Sequence, residues 1–324
     1  SSGRKGPVWI DIPLNVQKAK IDEKKLKSYF PKINSKINLR NNIKKDSEKI
    51  LNLFEKSKKP ILILGHGVKQ SGKIAEIKKI IDLLKIPVIF TRFTNDLIPH
   101  NKKHIYGISG IKATKFSKKI MNQSDLAISF GCRFSPQFVG HDYQALSNAK
   151  VISVDLEKDE LNKKGQKIDI PLRYDLTNFL PSFLVFLKKK KLKKFIQWNN
   201  HCSNLKKNFP ITFKNYNKKN KSKLMDLYYF MDRLGKISSK KNILITDAGS
   251  NYYIGGQVWN FEKNQKELSS YTNAAMGLSI PLSIGAAVAS PKSTILSVTG
   301  DGSLELNIQE LKTISHNKFN IKLF

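Results

Sequence analysis

The chain is paced by short, unbroken apolar runs that stop at a glycine or an acid and give way to helical spacing. Ile61-Leu62-Ile63-Leu64 stops at Gly65-His66-Gly67, and Ile74, Ile77, Ile80, Ile81 and Leu84 then recur at the interval of one helix face. The same alternation returns with a strand over 87–90, a helix over 112–122, a strand over 126–130 closed by Gly131, and a strand over 151–154 closed by Asp155. An unbroken apolar run suits a parallel strand buried on both faces. Strands alternating with helices imply right-handed crossovers, hence an α/β fold of open parallel sheets with helices on both faces. Ligands of such sheets bind beyond the carboxyl ends of the strands, which makes Gly65, His66, Gly67, Thr91, Arg92, Gly131, Arg133 and Asp155 the candidate lining. Gly65-x-Gly67 lacks a third glycine, since Gln70 holds that offset. A tight strand-to-helix turn explains the pair as well as a nucleotide does.

A second set of turns lies further along. The strand expected over 242–246 runs into Asp247-Ala248-Gly249-Ser250-Asn251, and a segment rich in small residues follows Ala274-Ala275-Met276-Gly277-Leu278. A β-rich run over 294–299 then meets Gly300-Asp301-Gly302-Ser303, with Leu304, Ile308, Leu311 and Ile314 at helical spacing behind it. A turn of this kind brings a carboxylate and backbone N–H groups to one point at a helix N-terminus, which suits a metal-bound phosphate. Asp-Gly between apolar runs is also a hairpin signal. Three small-residue turns that can converge at one sheet edge favour the phosphate reading.

The 324 residues are 40% hydrophobic, enough for two or more domains with real cores. The net charge of +33 is nearly all lysine, spread along the chain and densest at Lys188–Lys191 with Lys193 and Lys194. A nucleic-acid site calls for clustered arginines and aromatics, so solvated lysine faces are the better account, with a basic non-catalytic binding protein as the alternative. Cys132 and Cys202 have no metal-type spacing, which fits a reducing, cytoplasmic setting. No run of about 18 apolar residues predicts a membrane span. Both ends read as cut, the first opening into a strand over 8–12 stopped by Pro13 and the last closing inside the apolar run 321–324. Composition divides the chain into 1–17, a linker at 18–45, a unit at 46–178, a basic helical linker at 179–223, and a unit at 224–324.

Three stretches carry a family likeness: TDAGS at 246–250, AAMGLSIPLSIGAAVA at 274–289 and VTGDGSLELNIQELKT at 298–313. They resemble the diphosphate-binding domain of thiamine diphosphate (ThDP)-dependent enzymes, most closely the acetolactate synthase large-subunit group. GPVWIDIP at 6–13 resembles the end of that family's pyrimidine-binding domain. Residues 60–164, with ILILGHGV, SDLAISFGCRF and VISVDLEKDELNK, resemble its central domain. The resemblance implies that Asp301 binds Mg²⁺ and that Gly300, Gly302 and Ser303 contact the diphosphate. Gly249, Ser250 and Asn251 form a second diphosphate turn, and Met276, with Ala274 in place of the family's glycine, wedges the cofactor. The family's second metal ligand, an Asn, falls beyond Phe324, and its activating Glu falls before Ser1. Positions matching the family's FAD site are Gly65, Gly67, Thr91, Gly107, Gly131, Arg133 and Asp155. Ile108-Ser109 and Phe134-Ser135-Pro136-Gln137 depart from its pattern there. The implied activity is decarboxylation of a 2-oxo acid such as pyruvate with carboligation to a second carbonyl, as in branched-chain amino-acid biosynthesis. A ThDP-dependent decarboxylase or an acyl transferase to a keto-sugar is the alternative. The implied assembly is a homodimer or homotetramer.

Overall fold

A computed structural model describes residues 9–28, 42–141, 143–211, 225–238, 240–270 and 273–324. Residues 1–41 form one unit and residues 42–324 another. In the first, the described residues carry the short helix α1 (Leu14–Gln17) and a 3-10 turn at Glu23–Lys25. The strand expected over 8–12 is absent from residues 9–12, and Val8 lies outside the described residues. Trp9 and Ile10 are exposed, and a lone extended segment has no ladder to satisfy its backbone.

The second unit holds two parallel sheets. The first is built from β1 (Pro60–Leu64), β2 (Val88–Phe90), β3 (Ile105–Ile108), β4 (Leu126–Phe130), β5 (Lys150–Asp155) and β6 (Ile170–Arg173), in the order β3-β2-β1-β4-β5-β6. Its central strands are fully buried, as unbroken apolar runs require. Around it lie α2 (Ile43–Lys56), α3 (His66–Gln70), α4 (Ile74–Leu84), α5 (Lys115–Gln123), α6 (Pro136–Val139), α7 (Lys158–Asn162), α8 (Leu176–Lys188) and α9 (Ile196–Asn208). Helices α2, α4 and α8 pack together, and α5 packs with α9. Helix α2 begins inside the expected linker because the Asn42 side chain accepts the Lys45 N–H at 3.1 Å and caps it.

Residues 179–208 differ from the basic linker the composition suggests. Phe179 and Phe183 of α8 are fully buried and stack on one another at 5.4 Å, with Phe130 of β4 against both. Trp198 of α9 donates its indole N–H to the Pro60 carbonyl at 3.0 Å. Apolar stripes on two helices thus outweigh their lysines. The lysine run begins at the last residue of α8, and Lys193 Nζ caps the end of α2 by donating to the carbonyls of Glu55 and Ser57.

The second sheet has the order β10-β9-β7-β8, from β7 (Asn242–Thr246), β8 (Lys266–Ser269), β9 (Thr294–Val298) and β10 (Ile321–Leu323). Its helices are α10 (Leu227–Ile237), α11 (Ser250–Val258), α12 (Ser279–Ala289), α13 (Asp301–Glu305) and α14 (Glu310–His316). Alternate strand residues face opposite layers. Leu244, Leu296 and Val298 join Met231 and Leu234 of α10, while Ile243, Ile245 and Ile295 meet Ala286 and Ala287 of α12. The alanines let α12 lie close to the sheet. Pairing of β9 with β10 is parallel, so the Asp-Gly turn is a strand-to-helix turn and the hairpin alternative fails. The helical spacing behind it resolves into α13 and α14 rather than one helix. Strands β3, β6 and β8, which the apolar pattern does not announce, are short, and β3, β6 and β8 each carry polar or glycine residues. Among the described residues, no helix is long and apolar enough to cross a membrane.

His100 sits where the two sheets meet. Its backbone N–H donates to the Phe261 carbonyl at 2.8 Å, and its ring packs between Phe90 and Phe261. Burial is the main cause that lowers its pKa to about 4, with Lys206 adding to it and the Asn95 carbonyl opposing it. The folded state therefore keeps His100 neutral where the unfolded chain takes up a proton. Its contribution is fully present above about pH 6.5 and is lost as pH falls toward 4, up to about 3 kcal/mol. Urea midpoints at pH 7, 5.5 and 4 should show this acid loss in the native protein and a flatter profile for His100→Gln.

Candidate diphosphate site

The chain runs from β7 outward to β8 on one side and returns to β9 on the other. The boundary between β7 and β9 is thus a topological switch point, where an open parallel sheet leaves a crevice at its carboxyl edge. The register Thr246↔Val298 sets the turns that follow the two strands side by side. After β7 comes Asp247 and the turn into α11, with Gly249 at φ 102°. After β9 comes Gly300, and α13 starts at Asp301, whose Oδ1 accepts the Gly302 N–H at 2.8 Å. The third turn, into α12, has Ala274 at φ 49° and Gly277 at φ 82°. Ala274 thus holds a left-handed conformation that glycine adopts without strain, at a cost of about 1 kcal/mol.

Asp247 joins all three turns, a role the sequence does not disclose. It is fully buried. Its carboxylate accepts the Ala248 N–H at 2.7 Å and the Ser279 N–H at 2.9 Å, and Thr299 Oγ1 donates to it at 3.5 Å. Asn307 closes the other side by donating its side-chain amide to the Gly277 carbonyl at 2.8 Å. Met276, half exposed, reaches over the Asp301 turn: its Cε lies 3.2 Å from where a Cβ on Gly302 would stand.

The arrangement fits a diphosphate. Among the described residues, a Cβ on Gly249 would meet no atom within 4 Å, and one on Gly300 would meet only Ser303 Oγ at 4.0 Å, so these leave room between the two turns. Ser250 and Asp301 are exposed at the mouth, and Ser303 is buried behind it. Asn251, in the first turn of α11, is buried, and its side-chain oxygen has no hydrogen-bond partner among the described residues. Among the described residues no group of three or more His, Cys, Asp or Glu side chains gathers as a metal cage. The single exposed carboxylate at the mouth, Asp301, fits the chemistry of a Mg²⁺ ion that takes its other ligands from phosphate and water.

The first sheet's switch point, between β1 and β4, is closed. Gly65 N–H donates to the Phe130 carbonyl at 2.9 Å, Gly67 N–H to Gly131 at 3.1 Å, and Gly131 N–H to Val154 at 2.9 Å. A Cβ on Gly65 would stand 2.0 Å from the Gly131 carbonyl oxygen, and one on Gly131 2.6 Å from Gly67 Cα. The glycines serve close backbone contact, the structural alternative. Of the other FAD candidates, Arg133, Asp155 and Thr91 are also engaged. Arg133 Nε donates to Glu160 at 2.6 Å, and Lys163 shares the same carboxylate at 2.8 Å. Burial alone would raise the Glu160 pKa, but these two cations more than offset it and hold it below its ordinary value. Asp155 Oδ1 accepts the Glu157 N–H at 3.0 Å, and Thr91 N–H donates to Leu64 at 3.1 Å. Gly107, at φ 72°, lies where the β2–β3 register shifts. His66 is exposed and packs its ring on Phe93 at 5.3 Å. Arg92 turns away to the second sheet and pairs with Glu267. The Gly65, Gly67 and Gly131 amides and the Arg92 and Arg133 guanidinium groups are thus already paired, whereas a Cβ on Gly107 would meet no described atom within 4 Å. A separate cleft of about 540 Å³ between the end of α9 and the start of α10 contains none of the residues predicted from sequence. Cys132 and Cys202 are buried free thiols; burial pushes Cys132 up to about 12 and Cys202 upward too.

The molecule is thus an α/β protein of two parallel sheets, the second with a switch point lined by glycine turns and by the Asp247 and Asp301 carboxylates. Comparison with known proteins narrows the class. Residues 47–183 match "Thiamine pyrophosphate enzyme, central domain", and residues 247–324 match "Thiamine pyrophosphate enzyme, C-terminal TPP binding domain". The chain is 32% identical to a probable acetolactate synthase large subunit of Methanocaldococcus jannaschii, over 97% of this chain and 54% of that protein. It is 31% identical to the corresponding Methanococcus aeolicus protein, over 99% and 55%, and 27% identical to the acetolactate synthase isozyme 1 large subunit of Escherichia coli, over 99% and 55%. The chain belongs to the thiamine pyrophosphate enzyme family. It spans about half the length of the curated relatives it matches.

Gly131→Ala should lower the unfolding free energy by at least about 2 kcal/mol, because the new methyl meets Gly67 backbone at a positive φ. Denaturant unfolding of the purified variant measures it.

Proposed function

We propose that the full-length protein is a ThDP- and Mg²⁺-dependent enzyme that decarboxylates a 2-oxo acid, pyruvate in the first instance, and joins the acyl unit to a second carbonyl, as an acetolactate synthase does. The observation that carries the reading is the convergence of the Gly249, Met276 and Gly300 turns on one open switch point, tied together by Asp247. Gly249–Asn251 and Gly300–Ser303 would hold the diphosphate, and Asp301 would hold the metal. Met276 would press on the cofactor from the side. When bound, ThDP supplies the nucleophilic carbon and the electron sink that decarboxylation needs. This chain's residues would bind and orient it, and the exposed Met276, Leu306 and Ile308 near the turns suit coverage by a second subunit of a homodimer or homotetramer. Light scattering that returned a monomer would count against that assembly. With the first sheet's crevice closed, the reading needs no flavin.

Titration of the full-length protein with Mg²⁺ and ThDP should show saturable heat, and incubation with pyruvate should release CO₂ and yield acetolactate. CO₂ release without acetolactate, restored to ligation by a keto-sugar, would move the protein to the alternative acceptor. Asp301→Ala should weaken Mg-ThDP binding at least tenfold with little change in thermal midpoint, since Asp301 is exposed. Full binding by that variant would refute the metal assignment. The purified protein should lack flavin absorbance near 450 nm and gain none on incubation with FAD; a stoichiometric flavin spectrum would overturn the flavin-free reading.

A further inference from the structure

Arg92 follows β2, at the edge where the sequence points to a ligand-facing group. Its guanidinium instead crosses to the second sheet. Both Nη atoms pair with the Glu267 carboxylate on β8, and Nη2 also donates to the Tyr252 carbonyl at 2.9 Å. The guanidinium carbon lies 4.5 Å from the centroid of the Tyr252 ring. Glu267 is almost completely buried, and its backbone N–H donates to Asp96 at 3.2 Å; Asp96 in turn pairs with Lys69. The loop after β2 also sends Asn95 Nδ2 to the Gly256 carbonyl at 3.1 Å, and Gln257 Nε2 returns a hydrogen bond to Lys112 at 2.7 Å.

Apart from the Asp96–Lys69 pair, these contacts land on α11 or on β8. Tyr252 stands one residue past Asn251, in the first turn of the helix whose N-terminal end is the Gly249 turn. The Tyr252 carbonyl points along α11 toward Gly256, where an added Cβ would stand 2.6 Å from Arg92 Nε, so the guanidinium lies against the side of the helix with the Glu267 carboxylate neutralising its charge. We propose that Arg92 is a positioning residue for the diphosphate site: through Tyr252 it fixes the Gly249–Asn251 turn opposite the Gly300–Ser303 turn. The cofactor consequence rests on the ThDP reading, while the effect on the turn does not.

Hydrogen exchange and Mg-ThDP titration of the full-length protein test it together. Arg92→Gln should speed exchange of the amides at 249–253 while leaving β7 and β9 amides as in the native protein, and should raise the Kd for Mg-ThDP at least tenfold. Arg92→Lys keeps a charge for Glu267 but cannot also span to Tyr252, so it should show the same pattern to a lesser degree; it serves as the readout if the glutamine variant does not fold. Unchanged exchange at 249–253, or acceleration spread evenly over the sheet, overturns the proposal, as does a native Kd in either variant. Failure of the native protein to bind Mg-ThDP would defeat the functional reading, and the exchange pattern alone would then decide the role of Arg92.

Discussion

Everything at the candidate site depends on the parallel pairing of β7 with β9. Parallel strands end at the same edge of a sheet, so the turns that leave them emerge as neighbours. Asp247 completes that constraint, since a fully buried carboxylate must find donors, and here it takes them from its own turn and from the two others. One side chain thus exchanges its need for hydrogen bonds for a fixed spacing between three pieces of backbone.

The two sheets share an architecture and differ in what their switch points do. In the first, three glycines bring β1 and β4 backbones into direct contact and consume their own N–H groups. In the second, an added Cβ would meet no described atom at Gly249 and only Ser303 Oγ, at 4.0 Å, at Gly300. Strand order tells where a ligand would sit; whether there is room depends on a few ångströms of backbone.

Much of the fold was legible because buried parallel strands write themselves as unbroken apolar runs. Leu126–Phe130, Asn242–Thr246 and helix Ile74–Leu84 lie where the pattern puts them. Edge strands are quieter: β8 reads Lys-Glu-Leu-Ser and is recognised only by its partner. The glycine and acid content of the Gly249 and Gly300 turns was legible for the same local reason. Arg92 and Arg133 were not, because their partners Glu267 and Glu160 lie 175 and 27 residues away. A cation's destination is a long-range fact, and so is the role of Asp247.

The buried pair of Arg92 and Glu267 also bears on how the two sheets find each other as the chain folds. A slip of β8 by one residue against β7 would turn Glu267 to the opposite face. Arg92 would then be buried without a counter-charge, at a cost of several kcal/mol. Breaking the pair in a misregistered molecule would thus cost more than the pair adds to a correctly registered one.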